Sequence, residues 1–543
     1  MEPVLSVRNL TIALNQRSDK TLVKGLCFEI KRGETIALGG ESGSGKTLTA
    51  LGILRLLPPE MIIKEGEITL QNKQGSPCVL TNCSTSELHT IRGSEIAMIF
   101  QDPGVSLNPV LKCGHQVSET ILTHEQCTRH QAKTKTLEIF REVQLDPIRT
   151  FNAYPHELSG GQRQRVMIAM AISGNPTLIL ADEPTSALDA PVQKGVLTLL
   201  KKVQEKYRIA ILLISHDLDL VKNFADRVMV MHQGRIIEDK AVGELFESPG
   251  QAYTKALLTT RPERAAGAGF PYTSAETFVN VRNLSVRFEA SEFNFFRKNR
   301  HINAVDSVSF DVYKGETLGL VGESGSGKTS LGRALLRLIE PREGLIKIGH
   351  LEVNALEPKK LRQNRNLFQM VFQDPYASLN PFKTIGEALT EPLTIFQSNL
   401  NEKERKQKAI HFLELTGLHA DHYKRLPNTF SGGQRQRICI ARALILEPEF
   451  LVLDEPVSSL DVAIQAQILQ LLNKLKETLR FTSLFISHDL DLIRCISDRI
   501  MVMKNGKIEE IAETETLFQN PKAEYTKILL DSLPRSSPFS SKL

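Results

Sequence analysis

The octapeptide GESGSGKT occurs twice in this chain, at Gly40–Thr47 and again at Gly322–Thr329. Three further segments, VRNL, SGGQRQR and SHDLDL, recur in the same order around it; their copies begin at Val7 and Val281, Ser159 and Ser431, and Ser215 and Ser487. A repeat of this length is a whole domain rather than one unit of a solenoid. The chain is therefore expected to contain two copies of one fold.

The boundaries follow from the repeat and from local composition. We predict domains over 4–260 and 278–530, a linker over 261–277 rich in Pro, Gly and Ala, and a loose tail over 531–543. The first copy carries ten additional residues between its Gly-rich loop and Gln101. We place them in the polar stretch 71–86 and predict a longer surface turn there.

Composition narrows the class of protein. Hydrophobic residues make up 41% and charged residues 24% of the 543, as in ordinary globular proteins, and a net charge of +5 is too small to indicate nucleic-acid binding. The longest apolar run, Val166–Ile172, is far below the roughly 18 residues of a membrane-spanning helix. The N-terminus shows no secretory signal pattern, and the seven cysteines form no CxxC pair. We expect a reduced, cytosolic chain that does not cross a bilayer, without a disulfide framework or a zinc site.

Short apolar runs alternate with amphipathic stretches along each copy. The runs at Thr35–Leu38, Ile96–Phe100, Leu178–Ala181 and Ile211–Ile214 are typical of buried parallel strands. Between them, segments such as Val192–Tyr207 have apolar spacing near 3.6 residues, typical of helices. Such alternation predicts an α/β domain with a mostly parallel sheet, present twice.

The repeated octapeptide matches GxxxxGK[ST], and each copy follows an apolar run and precedes a helical pattern, which is the context of a phosphate-binding loop. Backbone N–H groups of such a loop and the start of the following helix face phosphate oxygens. The lysine reaches the outer phosphates, and the threonine supplies a hydroxyl to Mg²⁺. A glycine-rich turn without function is the alternative, which the identical second copy disfavours. The predicted ATP-binding residues here are Gly40, Glu41, Ser42, Gly43, Ser44, Gly45, Lys46 and Thr47, and Gly322, Glu323, Ser324, Gly325, Ser326, Gly327, Lys328 and Thr329.

Two acidic residues close an apolar run in each copy, Asp182–Glu183 and Asp454–Glu455. Acids at the carboxyl end of a parallel strand lie on the edge where α/β sheets bind ligands. Asp182 and Asp454 suit Mg²⁺, and the glutamates are then placed to orient or deprotonate the attacking water. Acids that only cap the strand are the alternative.

A third motif, LSGGQ or FSGGQ, begins a helical pattern in each copy, and its serine occupies a capping position. With the loops and acids it makes the chain resemble the ATP-binding-cassette (ABC) ATPases, which are P-loop NTPases, over nearly its full length. The order matches that family in both copies: phosphate loop, Gln101 or Gln373, signature, paired acids, Ser186–Asp189 or Ser458–Asp461, and His216 or His488. The signature residues are Ser159, Gly160, Gly161 and Gln162, and Ser431, Gly432, Gly433 and Gln434.

The resemblance implies two cassettes, each with a helical subdomain, that stack head to tail and enclose two ATP molecules with Mg²⁺. One site would combine Lys46, Asp182, Glu183 and His216 with Ser431 and Gly433 of the other copy, and the second would combine Lys328, Asp454, Glu455 and His488 with Ser159 and Gly161. Glu183, His216, Glu455 and His488 would be catalytic, the histidines contacting the γ-phosphate. Gln101 and Gln373 would contact both nucleotide and metal, beside Thr47, Asp182, Thr329 and Asp454.

Two positions depart from the family pattern. Phe430 replaces the usual signature leucine, with little loss expected because the serine and glycines are retained. An adenine-stacking aromatic is offered by Phe288 in the second copy, whereas the first has Leu14. Stacking contributes about 0.5–1.5 kcal/mol beyond area burial, so the first site is expected to bind ATP more weakly. Eight residues inserted after Phe288 leave this pairing open. We expect both sites to hydrolyse ATP.

Finer features resemble the importers of peptides and nickel. These are QDPGVSLNP and QDPYASLNP after Gln101 and Gln373, an equal spacing from each glutamine to its signature serine, and the segments Ala252–Leu258 and Glu524–Leu530. The resemblance implies a fused importer ATPase at the cytoplasmic face of the inner membrane. Its partners would be two transmembrane permease subunits and, indirectly, an extracytoplasmic substrate-binding protein, with no nucleic acid. No cysteine follows Cys495, so we expect no iron–sulfur centre.

Two other classes of tandem-cassette protein are alternatives. A protein acting on the ribosome usually has a long, charged, helical linker, which is missing here. A DNA-repair ATPase is disfavoured because zinc spacings and coiled-coil insertions are missing. The C-terminal Ser541–Leu543 matches a peroxisomal address, which we interpret as coincidence. The cargo stays open among dipeptides, longer peptides, peptide-like antibiotics and metal chelates.

Overall fold

The computed structural model describes residues 3–15, 17–185, 188–259, 276–290, 300–458 and 460–531. The chain divides into two compact units, one within residues 1–260 and the other within 261–533. The predicted linker falls almost wholly outside the described residues, as do the predicted tail beyond Asp531 and residues 186–187 of the segment before Asp189. The domain boundaries therefore stay predictions.

The first unit contains ten strands and eleven helices among its described residues. The strands are β1 (Pro3–Leu14), β2 (Arg17–Lys31), β3 (Thr35–Gly39), β4 (Met61–Gln71), β5 (Pro77–Val79), β6 (Ile96–Ile99), β7 (Leu178–Asp182), β8 (Ala210–Ile214), β9 (Arg227–His232) and β10 (Arg235–Ala241). The helices are α1 (Lys46–Ile53), α2 (Thr85–Ile91), α3 (Pro103–Ser106), α4 (Cys113–His124), α5 (Arg129–Glu142), α6 (Pro147–Asn152), α7 (Gly160–Ser173), α8 (Ala190–Tyr207), α9 (Leu218–Phe224), α10 (Val242–Glu247) and α11 (Ala252–Thr259).

The second unit repeats this order over its described residues, except that a 3₁₀ helix (Ala420–Lys424) takes the place of α6. Its strands are β11 (Thr277–Ala290), β12 (Arg300–Tyr313), β13 (Thr317–Val321), β14 (Glu343–Ile348), β15 (Leu351–Glu352), β16 (Phe368–Val371), β17 (Phe450–Asp454), β18 (Thr482–Ile486), β19 (Arg499–Lys504) and β20 (Lys507–Glu513). Its helices are α12 (Lys328–Leu335), α13 (Pro358–Gln363), α14 (Pro375–Ser378), α15 (Ile385–Phe396), α16 (Glu402–Leu415), α17 (Gly432–Leu444), α18 (Val462–Leu479), α19 (Leu490–Ile496), α20 (Thr514–Gln519) and α21 (Glu524–Asp531).

A mostly parallel sheet forms the centre of each unit, as the sequence predicts. Its order in the first unit is β10-β9-β3-β8-β7-β6, and only β10 runs antiparallel to its neighbour. Every residue of β3, β7 and β8 is buried, because α7 and α8 pack on one face of the sheet, and α1 packs on the other together with β1, β2 and β4. The second unit has the equivalent order β16-β17-β18-β13-β19-β20. Parallel direction brings the ends of β3 and β7, and of β13 and β17, to one edge.

A second, antiparallel sheet of four strands was not predicted. Its order is β2-β1-β4-β5 in the first unit and β12-β11-β14-β15 in the second. Bulges interrupt β1 between Val7 and Leu10 and β11 between Val281 and Leu284, and Asn9 and Asn283 there have φ angles of 51° and 48°. Each bulge shifts the side-chain alternation, so the period-two pattern that marks a strand is lost in the sequence.

The ten additional residues of the first copy form more than the predicted surface turn. After β4 the chain turns at Asn72–Ser76, and β5 returns antiparallel, with Val79 opposite Thr69. Ser84 then caps α2 through the backbone N–H of Glu87. The second unit has a shorter hairpin of β14 and β15 at this place, so the additional residues enlarge a hairpin that both units share.

Between Gln101 and the signature, α4, α5 and α6 form the helical region that the resemblance implies, and α15 and α16 lie at the equivalent place in the second unit. Buried apolar side chains of α4, α5 and α7 share one core with the central sheet. Among the described residues, no helix combines the length and apolar character that spanning a membrane requires.

Candidate functional site

Each phosphate loop begins with a glycine whose replacement would force the neighbouring backbone to move. Gly40 has a φ of 144°, and a Cβ atom there would lie 2.2 Å from the carbonyl oxygen of Met231. In the second unit, a Cβ atom on Gly322 would lie 2.1 Å from the carbonyl oxygen of Met503. The backbone of each loop thus passes directly against the strand next to it.

The loop lysines are folded back onto the loops. Lys46 Nζ donates hydrogen bonds to the carbonyl oxygens of Gly40 and Glu41 at 2.7 and 2.8 Å, and its side chain is buried. Lys328 makes the same two contacts, at 2.7 and 2.8 Å, with Gly322 and Glu323. A buried ammonium at the start of α1 or α12 gives the loop a positive charge next to the positive end of the helix dipole, which favours phosphate.

The threonine and the aspartate of each predicted metal set meet at the sheet edge, whereas Gln101 and Gln373 bond to Glu183 and Glu455. Thr47 Oγ1 donates to Asp182 Oδ1 at 3.2 Å, and Thr329 Oγ1 donates to Asp454 Oδ1 at 3.0 Å. Asp454 Oδ2 is buried and accepts no hydrogen bond from the described residues, which leaves a carboxylate oxygen unsatisfied. Oxygen ligands of this kind suit Mg²⁺, whose remaining positions would be taken by water and phosphate oxygens. The residues therefore fit the ion.

Burial dominates the titration of these two aspartates. It raises the pKa of Asp182 to about 6, a rise that the Thr47 hydrogen bond and the Lys46 charge only partly oppose. Burial also raises the pKa of Asp454. A cation bound at either carboxylate would favour the ionised form and lower its pKa again.

Glu183 lies just beyond β7 and is held on two sides. His216 Nδ1 lies 2.9 Å from Glu183 Oε1, and Gln101 Nε2 donates to Glu183 Oε2 at 2.8 Å. Its φ of 45° is in the left-handed region, which is uncommon for a residue with a side chain. The backbone N–H of Glu183 is nevertheless bonded to the carbonyl oxygen of Ile214, which secures the turn.

Glu455 repeats this arrangement in the second unit. Its Oε1 lies 3.2 Å from His488 Nδ1, its Oε2 accepts from Gln373 Nε2 at 2.9 Å, and its φ is 46°. The structure therefore brings together, in each unit, the glutamate, glutamine and histidine that are distant in sequence.

The electrostatic balance keeps both glutamates ionised. Burial alone would raise the pKa of Glu183, but the hydrogen bond and charge of His216, with Lys46, outweigh it and lower the pKa. His488 lowers the pKa of Glu455 in the same way. Burial would lower the pKa of His488, but the Glu455 contact raises it. An ionised carboxylate can only accept, so the Nδ1 atom of each histidine carries the hydrogen that faces it.

The two signature motifs begin long helices, as predicted. Ser159 Oγ accepts from Gln162 N at 3.3 Å, and Gln162 Oε1 accepts from Ser159 N at 3.0 Å, so the pair forms a capping box at the start of α7. Ser431 and Gln434 form the same box at the start of α17. Both serines are exposed within their own units.

Phe430 is buried before the second signature, as Leu158 is before the first. The larger ring is thus accommodated inside the fold, away from the exposed serine. Leu14 and Phe288 lie at equivalent places near the ends of β1 and β11, and Phe288 is 41% exposed. Residues 291–299, which contain the inserted segment, lie outside the described residues, so the adenine-stacking difference stays a prediction.

Sequence reasoning missed one contact of the phosphate loops. The Tyr253 hydroxyl accepts a hydrogen bond from the backbone N–H of Glu41 at 3.1 Å, and the Tyr525 hydroxyl accepts from the N–H of Glu323 at 3.2 Å. The recurrence of Tyr-Thr-Lys near the end of both copies was the available signal, but it gave no indication of which element the tyrosine contacts.

Comparison with known proteins identifies the family. The family model described as ABC transporter matches residues 23–186 and 305–458. The chain belongs to the ABC transporter family. A second model, described as the C-terminal region of oligopeptide/dipeptide transporters, matches residues 510–543.

Similar proteins are named glutathione import ATP-binding protein GsiA. The one from Escherichia coli O6:H1 is 42% identical over 562 residues, covering 98% of this chain and 90% of the relative, and the one from Shigella flexneri is 41% identical over the same length. Among solved structures, one match is the ATP-binding cassette MJ0796, a dimer in a post-hydrolysis state bound to ADP and Pi. The match covers 44% of this chain and 98% of that chain, with 30% sequence identity and a TM-score of 0.40.

This ABC protein is the ATP-binding and ATP-hydrolysing subunit of an importer. As such it is peripheral to the membrane and works with membrane-embedded permeases. The ribosome-acting alternative is not supported, because these relatives are import proteins and the C-terminal model is that of a peptide transporter.

Proposed function

We propose that this ATPase drives the uptake of glutathione or a similarly short peptide. The names of its relatives and the peptide-transporter match over residues 510–543 support this cargo class. Its partners would be two transmembrane permease subunits and an extracytoplasmic binding protein that selects the peptide. The ATPase would act at the cytoplasmic face of the inner membrane, and residues 4–260 and 278–530 would be its two cassettes.

Hydrolysis would depend on the clamped glutamates, and this clamp is the observation that carries the proposed chemistry. Glu183, held by His216 and Gln101, would orient the attacking water and accept its proton, and Glu455 would do so in the second site. Two fixed contacts on one carboxylate restrict its rotation, which favours a single position for the water.

The phosphates would be bound by the loop amides and by Lys46 or Lys328. The lysine would exchange its contacts with loop carbonyl oxygens for contacts with the outer phosphates. Mg²⁺ would be held by Thr47 and Asp182, or by Thr329 and Asp454, with Gln101 or Gln373 nearby. When bound, it would neutralise charge on the phosphate oxygens.

Each signature would complete the site of the other copy. Ser159 and Ser431 are exposed at helix starts, so that a hydroxyl and backbone N–H groups are available to a γ-phosphate. Donors of this kind stabilise the charge that develops on phosphate during hydrolysis.

The cargo and partners can be tested together. We would purify the tagged full chain from membranes with the proteins that accompany it, reconstitute the complex in liposomes, and measure ATP-dependent accumulation of labelled glutathione. The expected result is accumulation with the wild-type chain and none with Glu183→Gln combined with Glu455→Gln. If the chain accompanied no membrane protein, or if the complex carried no short peptide, the proposal would be wrong.

A further inference from the structure

The last described helix of each unit contacts the phosphate loop through a tyrosine. Tyr253 on α11 and Tyr525 on α21 each place the hydroxyl oxygen 3.1–3.2 Å from the backbone nitrogen of a loop glutamate, Glu41 or Glu323. More than 200 residues of sequence separate the partners in each case. Because the same long-range contact occurs in both units, we regard it as part of the fold and not as a chance approach of two groups.

This contact acts on the peptide unit beside the phosphate-binding turn. Glu41 donates its N–H to Tyr253, while its carbonyl oxygen accepts from Lys46 Nζ at 2.8 Å. Both backbone polar groups of this residue are therefore engaged, one by the terminal helix and one by the phosphate lysine. When the lysine turns toward phosphate, the carbonyl oxygen of Glu41 keeps the hydrogen bond from the Ser44 N–H at 3.2 Å, and its own N–H keeps the tyrosine contact.

A buried glutamate fixes the start of the tyrosine helix. Glu238 on β10 is 7% exposed, and its two oxygens accept from the backbone N–H groups of Gly250 at 2.7 Å and Gln251 at 3.2 Å. Tyr253 follows two residues later. Burial would raise the pKa of Glu238, but these N–H groups and Thr254 lower it to about 2, so the carboxylate stays charged.

The second unit has the same anchor. Glu510 on β20 accepts from the N–H groups of Lys522 and Ala523, both at 3.0 Å, and Tyr525 again follows two residues later. The helix start and the tyrosine are thus held to the central sheet by one carboxylate in each unit.

Each tyrosine ring also contacts a residue at the end of the strand that neighbours β3 or β13. The centroid of the His232 ring, at the end of β9, lies 3.9 Å from the centroid of the Tyr253 ring. Lys504 Nζ, at the end of β19, lies 4.4 Å from the centroid of the Tyr525 ring. A ring fixed by an aromatic or cationic neighbour keeps its hydroxyl at one position.

We propose that Tyr253 and Tyr525 are positioning residues for ATP binding, which act by holding the first turn of each phosphate loop open to the nucleotide. Neither needs to touch ATP. Each acts through the backbone N–H of the loop glutamate, and each depends on Glu238 or Glu510 for its own position.

The test is Tyr253→Phe and Tyr525→Phe in the full chain, which keep the ring and remove only the hydroxyl. We expect the ATP concentration for half-maximal hydrolysis to rise about 2- to 10-fold, the effect of losing one hydrogen bond, with kcat changed less. In the nucleotide-free protein, hydrogen exchange at Glu41 should become faster in Tyr253→Phe. The identical loop around Glu323 should be unchanged in the same molecule, which provides an internal reference.

Tyr207→Phe is the matched control. The Tyr207 hydroxyl contacts Glu142 Oε2 at 2.9 Å, a partner outside the phosphate loop, so the same chemical change should leave ATP half-saturation and loop exchange unaltered. Glu238→Gln should shift ATP half-saturation in the same direction as Tyr253→Phe, and the double variant should shift it by less than the product of the two single effects.

Two results would overturn the proposal. One is an unchanged ATP half-saturation together with unchanged loop exchange in both tyrosine variants. The other is a Tyr207→Phe control whose melting temperature falls and whose kcat and ATP half-saturation change as much as those of the two test variants. The loss of any tyrosine hydroxyl would then act through general stability.

Discussion

Replacing Glu183 by glutamine tests the proposed chemistry at one site with little structural change. The amide keeps the size of the carboxylate and one accepting oxygen, but its NH₂ group faces either His216 or Gln101 and cannot accept a proton. A positioned base contributes about 10²–10⁴-fold to hydrolysis, which corresponds to about 2.7–5.4 kcal/mol in the activation free energy. ATP binding should change much less, because the loop residues that hold phosphate are untouched.

The assay is single-turnover hydrolysis with the chain in excess over ATP, measured on Glu183→Gln, Glu455→Gln and the double variant. We expect a large loss in each single variant and the largest in the double variant. Glu142→Gln is a matched control, because Glu142 bonds Lys206 and Tyr207 outside the site and should retain wild-type turnover.

The outcome separates two kinds of error. Activity untouched by one single change would mean that its site is silent, against our expectation that both sites hydrolyse ATP. Full activity in the double variant would refute the role of the clamped glutamates altogether, and with it the interpretation of the histidine and glutamine contacts.

Three further changes test other parts of the structure. Gly327→Ala places a Cβ atom 2.0 Å from a backbone carbonyl oxygen and should cost about 1–3 kcal/mol of stability with loss of ATP binding. Gly325→Ala is its control, because Gly325 is also in the left-handed region but a Cβ atom there meets nothing within 4 Å. Comparing the melting temperatures and ATP affinities of the two variants isolates the effect of the clash. Ser431→Arg should abolish turnover at the site containing Lys46 while that site still binds ATP, and unchanged turnover would contradict the sharing of sites. Glu238→Gln should destabilise the fold by about 2–3 kcal/mol at neutral pH. Because folding lowers the pKa of Glu238 to about 2, the charged form stabilises the fold above its ordinary pKa of 4.5, and denaturant unfolding should show the wild-type advantage shrinking as pH falls from 4.5 towards 2.

The central sheet was predictable because both of its faces are buried. Strands β3, β7 and β8 are continuous apolar runs that end within one residue of the predicted bounds, and α8 spans the predicted segment Val192–Tyr207. The phosphate loops were also predictable, because their backbone conformation requires glycine at fixed positions.

The remaining structure depends on features that a local pattern does not carry. The antiparallel sheet was missed because bulges at Asn9 and Asn283 interrupt the alternation of its long strands. The contact of Tyr253 with Glu41 joins residues at opposite ends of one unit, so no short window contains it. The clamp on Glu183 was not predicted. The family resemblance implied only that His216 and Gln101 lie at the nucleotide, and these two partners follow two different strands, β8 and β6.

The left-handed backbone at Glu183 and Glu455 has a consequence beyond geometry. Such a conformation raises the free energy of a residue with a side chain by roughly 1–2 kcal/mol relative to glycine. Glycine at either position would relax that strain, but it would also remove the carboxylate together with its histidine and glutamine contacts. Backbone strain therefore remains at the two residues on which the proposed hydrolysis depends, because the one residue type that relaxes it cannot supply a carboxylate.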